Sequence, residues 1–352
     1  MISVFKYEQP FRLESGASLD GFHLAYTTHG KLNAAKDNVI WIFHALTANS
    51  NPAEWWPGLV GDGRFFDPSR YFIICVNKPG SPYGSISPLS TNPENGKPFY
   101  HDFPAFTIRD MVKTYQHLKN ALGIQKIFCG LGGSTGGMQL LEWAIEEPEL
   151  FEHIVPIATN AVLSPWGIAF NASQRMAIEA DSTWLEKRPD AGQKGLAAAR
   201  SIALLSYRHY NGYDLTQARD KAFVPLVDNI TYASDNYQRY QGTKLVNRFH
   251  ALCYYRLTQS MDSHDTGRNR GGTAAALSRI KARTLVIGIS SDVLYPIAEQ
   301  EYLNKNIAGS SLLTIPSDFG HDGFLLEYDK IEAALKEFIQ SKTSNHLKIV
   351  NH

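Results

Sequence analysis

Three observations predict a mostly parallel α/β sheet flanked by helices and interrupted by a helical insertion. Short, continuous apolar runs alternate with helix-length amphipathic segments along both ends of the chain. Gly132-Gly133-Ser134-Thr135-Gly136 stands between one such run and a helix-like stretch. The alternation lapses between about residues 164 and 275 and then resumes.

Residues 1–30 alternate apolar and polar, as in Phe11-Arg12-Leu13-Glu14 and Phe22-His23-Leu24-Ala25-Tyr26, a pattern of antiparallel strands with one wet face. Val39-Ile40-Trp41-Ile42-Phe43 and Tyr71-Phe72-Ile73-Ile74-Cys75-Val76 are apolar throughout, as interior parallel strands are. Residues 105–123 carry helical spacing, with Ile108, Met111, Val112, Tyr115, Leu118 and Leu122 on one face. Lys126-Ile127-Phe128-Cys129-Gly130-Leu131 predicts a strand, and Met138–Ala144 a helix. Ile154-Val155-Pro156-Ile157-Ala158 predicts the next strand. From 164 to 275 no strand-like run is found, and helical periodicity with many tyrosines takes over. Strands are expected again at Arg283–Ile289 and Ser311–Ile315, and a final amphipathic helix over 328–342. No Pro/Gly/Ser-rich linker flanks the insertion, so we expect a core of residues 1–163 and 276–352 and a cap of residues 164–275. A cap in that place roofs a pocket and limits water.

The G-x-S-x-G string in a strand–turn–helix setting is a nucleophile elbow. Small neighbours let the chain pass closely, and the serine hydroxyl stands at a helix N-terminus, where free N–H groups favour negative charge. A serine nucleophile needs a base, and the base an orienting acid. Asp292 lies just past the strand Arg283–Ile289, and His321 follows Ser311–Ile315 in Gly320-His321-Asp322-Gly323-Phe324. The order Ser134, Asp292, His321 is that of the α/β-hydrolase fold, and it points to acyl transfer through a covalent ester.

The composition bounds the partners. The chain has 352 residues, 43% of them hydrophobic, and Lys+Arg and Asp+Glu both number 34. Zero net charge argues against a general nucleic-acid or membrane-surface binder. The three cysteines, Cys75, Cys129 and Cys253, form no disulfide framework, and Cys75 and Cys129 sit in strand-like runs. No apolar run has the length of a membrane span or signal peptide. A soluble cytoplasmic protein is expected, with no metal.

Several strings resemble the homoserine O-acetyltransferase family of α/β-hydrolase acyltransferases. They are His44-Ala45-Leu46-Thr47, Trp55-Trp56, Tyr83-Gly84-Ser85, Asp102-Phe103-Pro104, Thr107-Ile108-Arg109-Asp110-Met111-Val112 and Gly137-Met138-Gln139. Further on come Leu141-Glu142-Trp143-Ala144, Ala169-Phe170-Asn171, Gln174-Arg175, Met261-Asp262-Ser263-His264-Asp265 and Gly320–Phe324. The similarity runs from about residue 38 to 325.

The resemblance implies transfer of an acetyl or succinyl group from coenzyme A to the homoserine hydroxyl. Acetyl-CoA would be a co-substrate, no cofactor would be tightly bound, and the chain would be a homodimer. It implies Ser134 as nucleophile, Asp292 as acid and His321 as base, with the N–H groups of Leu46 and Thr135 as oxyanion donors. Arg200 and Tyr207 match cap residues facing the amino acid; seven apart, they share a helix face. Asp322 matches the carboxylate that receives the substrate ammonium. The chain departs from the family at Thr135, where Met is usual, at Gly80-Ser81-Pro82 and at Ile86-Ser87-Pro88. These departures bear on the acyl donor and acceptor. Water as acceptor, in a plain esterase, is the rival expectation, together with a homoserine or serine O-succinyltransferase.

Overall fold

The computed structural model describes residues 2–219, 224–226 and 229–340. Its centre is an eight-stranded sheet. In chain order the strands are β1 (Ile2–Tyr7), β2 (Phe22–His29), β3 (Val39–Phe43), β4 (Phe72–Val76), β5 (Ile127–Gly133), β6 (Phe151–Ile157), β7 (Arg283–Ile289) and β8 (Ser311–Ile315). They lie in the order β1-β2-β4-β3-β5-β6-β7-β8. The β1–β2 and β2–β4 pairs are antiparallel, and every later pair is parallel. This is the α/β-hydrolase fold.

The apolar runs are interior strands because both of their faces are covered. Along β3, Val39, Trp41 and Phe43 pack into one apolar cluster, and Ile40 and Ile42 into the other. That is the period of two expected of a pleated strand between two helical layers. The edge strand β1 is largely exposed, in keeping with the predicted wet face. Helix α1 (Ile108–Ala121) buries Ile108, Met111, Val112, Tyr115 and Leu118, and Thr107 and Asp110 close its start with a reciprocal capping box. Helix α2 (Thr135–Glu146) follows β5 directly and is buried at eleven of its twelve residues. Its Trp143 meets Trp41 edge-on, with ring centroids 4.8 Å apart.

Between β6 and β7 the chain builds helices α3 (Pro165–Glu179), α4 (Gln193–Tyr207), α5 (Tyr210–Thr216), α6 (Ala233–Val246) and α7 (Ala251–Asp262). The segment leaves and re-enters the core side by side. Leu163 N–H donates to His264 O and Thr266 N–H to Ala161 O, each at 3.0 Å. One expectation is corrected here: the insertion is not free of strand. Val224–Leu226 and Asn229–Thr231 pair antiparallel. Three-residue arms are too short to show a period of two in the sequence. Helix α8 (Ile297–Asn306) links β7 to β8, and α9 is described as Tyr328–Gln340. Residues 341 and 342 of the expected last helix lie outside the described residues. The three cysteines are buried and free. Among the described residues no helix is long and apolar enough to cross a membrane.

Candidate active site

Ser134 holds φ 56° and ψ −124°, a left-handed backbone that is rare for a residue with a side chain. Its neighbours explain how the turn is tolerated. A Cβ on Gly132 would come 2.5 Å from the Gly136 carbonyl group, and a Cβ on Gly136 would come 2.1 Å from Phe43 O at the end of β3. Glycine is therefore required at both positions. The turn is locked by Ser134 N–H donating to Ile157 O (3.0 Å) and by the Thr159 hydroxyl donating to Ser134 O (2.9 Å). Strain of this kind costs about 1–3 kcal/mol, and these bonds from the neighbouring strand end hold it in place.

Asp292 follows β7, its N–H donating to Ile289 O. One carboxylate oxygen accepts the N–H groups of Leu294 (2.8 Å) and Tyr295 (2.9 Å). The other lies 2.6 Å from His321 Nδ1. With both acceptor sites used, Asp292 orients the imidazole so that Nε2 is left for chemistry. Three rings surround His321, those of Tyr207, Tyr295 and Phe324, with centroids 5.6, 5.2 and 5.2 Å away. Trp56 Nε1 donates to Phe324 O (2.9 Å) and so anchors the histidine turn to the loop after β3.

Ser134 and His321 line one cavity of about 640 Å³ together with Leu46, Arg200, Tyr207 and Asp322. Of the residues singled out in the sequence, only Thr135 and Asp292 do not line it. Asp292 stands directly behind His321, and Thr135 is the residue after the serine. The N–H groups of Leu46 and Thr135 make no hydrogen bond among the described residues. Thr135 opens α2, where an N–H has no partner within the helix. Arg200 lies over the Tyr207 ring, 5.6 Å from guanidinium carbon to centroid, so the two do share a face of α4. Asp322 is already ion-paired, to Arg208.

Lys244 lines the cavity, and it and four residues around the site carried no role in the sequence reading. Arg208 follows α4 and holds Asp322. Arg248 donates to Thr47 O and to the Tyr83 hydroxyl (2.6 Å), clamping the helical insertion to the loop that carries Leu46. Tyr295 is fully buried, and its hydroxyl comes up to the Ser134 side chain without an aligned hydrogen bond. Lys78 is buried beneath the same loop. Its one signal in the sequence is a charge two residues past a wholly apolar strand.

The family-like strings away from the cavity serve the scaffold. Arg109 and Arg270 both bind the buried Glu142 carboxylate, joining α1, α2 and the segment after α7. Asp262 accepts from Arg175 (2.7 Å) and Asn171 (2.8 Å), joining α7 to α3.

The family model of the alpha/beta hydrolase fold matches residues 38–328. The chain is 48% identical to the homoserine O-acetyltransferase of Cyclobacterium marinum over 340 residues, which cover 95% of this chain and 94% of that protein. The crystal structure of homoserine O-acetyltransferase from Staphylococcus aureus superposes with a TM-score of 0.80 at 28% identity, covering 99% of this chain and 98% of that one. An acetylester hydrolase from Corynebacterium glutamicum superposes with a TM-score of 0.85 at 25% identity, covering 97% and 96%.

Proposed function

The chain belongs to the homoserine O-acetyltransferase family of α/β-hydrolase enzymes, and on that premise we propose that it transfers acetyl from acetyl-CoA to the hydroxyl of L-homoserine. The observation that carries this reading is the chemistry of the wall facing Ser134. A cavity built for a plain ester would present an apolar cap. Here the cavity presents Arg200, Lys244, Arg248 and Asp322, groups suited to a substrate with a free carboxylate and ammonium.

The proposed cycle has two halves. His321 takes the Ser134 proton as the hydroxyl oxygen attacks the thioester carbonyl. The N–H groups of Leu46 and Thr135 receive the oxyanion, and being fixed in the backbone they need no reorganisation as charge develops. The C–S bond breaks, the thiolate takes the proton from His321, and an acetyl-serine remains. The homoserine hydroxyl then gives its proton to His321 and attacks the acetyl carbonyl. Collapse returns the proton to Ser134 and releases the O-acetyl amino acid. Arg200 grips the acceptor carboxylate, Tyr207 flanks it, and Asp322 draws the ammonium. The same proposal puts this step in methionine biosynthesis, carried out in the cytoplasm by a homodimer, as the resemblance implies.

The test is an acceptor screen that reads free thiol, with acetyl-CoA and succinyl-CoA run side by side. Multiple-turnover thiol release from acetyl-CoA that requires homoserine, with an acetylated peptide containing Ser134 and parallel double-reciprocal lines, is expected. Continuous release without any amino acid, beyond the one thiol per active site that acylation itself frees, would make water the acceptor and the chain a hydrolase. Preference for succinyl-CoA would assign Arg200 or its cationic neighbours to the acyl group. Ser134→Ala should lose turnover by about a million-fold.

A further inference from the structure

Lys78 is only 2% exposed, and no carboxylate among the described residues lies within ion-pair distance of it. A buried lysine without a counter-ion is costly, so its partners bear on what it does. There are two. The Nζ donates to Ala45 O (3.1 Å) and to the Thr135 hydroxyl oxygen (3.0 Å). Each partner belongs to one of the two segments that carry an oxyanion donor. The Ala45 carbonyl and the Leu46 N–H are the two ends of one planar peptide, so a donor on the oxygen fixes where the N–H points. It also draws electron density towards the oxygen and leaves the N–H a stronger donor. The second bond reaches the residue whose own N–H is the other donor.

The surroundings reinforce this arrangement. His44 Nε2 accepts the Lys78 backbone N–H (3.1 Å), so its Nδ1 carries the proton and donates to the same Ala45 oxygen (2.8 Å). His44 and Cys75 are the titratable side chains that face Lys78. Both are buried and neutral: burial pushes the histidine well below its usual range and the Cys75 thiol well above its own. Lys78 does not line the cavity, so it cannot touch substrate.

We propose that Lys78 is a positioning residue for acyl transfer, fastening the Ala45–Leu46 peptide and the Thr135 elbow together so that both oxyanion donors converge. This rests on the acyl-transfer reading above. Burial lowers the ammonium to about 7, so in the free enzyme the charge behind the oxyanion site is present below that pH and lost above it.

The experiment follows acylation of Ser134 by p-nitrophenyl acetate and by acetyl-CoA in the whole chain, in a single turnover, for wild type, Lys78→Met and Thr135→Val. In Lys78→Met the acylation rate constant is expected to fall at least about 10-fold, and by no more than the roughly 100- to 1,000-fold of a lost oxyanion donor. The KM for acetyl-CoA should stay within about threefold, since the contact matters mainly in the transition state. The descending limb of kcat/KM through about pH 7 should disappear. The melting temperature should hold or rise below that pH, because Met removes a buried charge. Thr135→Val keeps the N–H and loses one tether. It should cost less, and the double variant should be no slower than Lys78→Met alone.

Acylation at the wild-type rate, or slowing that comes with a lower melting temperature and a raised KM, would overturn the proposal. Activity in Ser134→Ala would instead remove the acyl-serine reading itself. An inactive Ser134→Ala beside a fully active Lys78→Met would remove the Lys78 role alone.

Discussion

Asp322 and Arg208 form an ion pair that faces two cavities at once. Asp322 lines the cavity that holds Ser134, and Arg208 lines a second one of about 700 Å³. The pair is part of the partition between them, and it ties the end of α4 to the histidine turn. On the function proposed above, Asp322 would meet an incoming ammonium as a carboxylate already held in place. In Asp322→Asn we expect the KM for homoserine to rise about 10-fold or more, in line with the loss of a charge-assisted contact. Acylation by acetyl-CoA should be nearly unchanged. Arg208→Met should lower stability by about 1–3 kcal/mol, measured by denaturant unfolding. Equal damage to acylation and acceptor KM in Asp322→Asn would place the carboxylate elsewhere in the mechanism.

Arg200 has no acidic partner among the described residues, and its guanidinium rests on Tyr207 above the cavity. Arg200→Leu should raise the acceptor KM and spare the acylation burst, because an acetyl thioester brings no carboxylate to the serine. Arg200→Lys should restore little, since a point charge does not reproduce the planar fork. A collapsed burst with an unaltered acceptor KM would move Arg200 to the acyl-donor side.

Gly320 has φ +64°, and a Cβ there would stand 2.7 Å from the Arg208 carbonyl carbon and 2.9 Å from His209 N. Gly320→Ala must displace the turn that carries His321. We expect kcat to fall about 10- to 100-fold, the scale of a misplacement near one ångström. The accompanying loss of stability should be about 1–3 kcal/mol. Stability lost without any change in kcat would show that the turn can shift as a unit with its histidine.

We expect His264 to make the chain acid-sensitive. Its Nε2 donates to Asn160 O (2.9 Å), and burial lowers it to about 4. Unfolded, it titrates near 6.5. As pH falls from about 6.5 towards 4, the unfolded state binds a proton that the folded state refuses, so stability declines across that window and levels off below it. The difference amounts to about 3 kcal/mol for this one group. His44, also lowered by burial, acts with the same sign. His264→Gln should flatten part of the loss in unfolding measurements between pH 7 and 4. An unchanged slope would assign acid sensitivity to other groups.

The sheet could be read from the chain because its signals are local. Five consecutive apolar residues in β3 can only be satisfied between two layers, and the glycines around Ser134 announce a turn that no side chain would fit. The same local logic brings Asp292 and His321 to successive strand ends, where the structure sets them 2.6 Å apart. The family-like strings were legible as strings and silent about their work. Glu142 gave no sign that it would gather Arg109 and Arg270, because those residues meet only once α1, α2 and the segment after α7 have packed.

What the sequence determined by itself was therefore the alternation of strands and helices in the sheet-bearing core and the elbow at Ser134, since each depends on residue type and spacing over a few turns. Tertiary structure alone decided that Arg208 would claim Asp322, that Arg248 would clamp the loop after β3, and that the Lys78 ammonium would lie between Ala45 O and the Thr135 hydroxyl. These contacts join residues 33 to 201 positions apart. Their geometry comes from how the layers and the helical insertion settle on one another, and no local pattern in the chain encodes a distance of that kind.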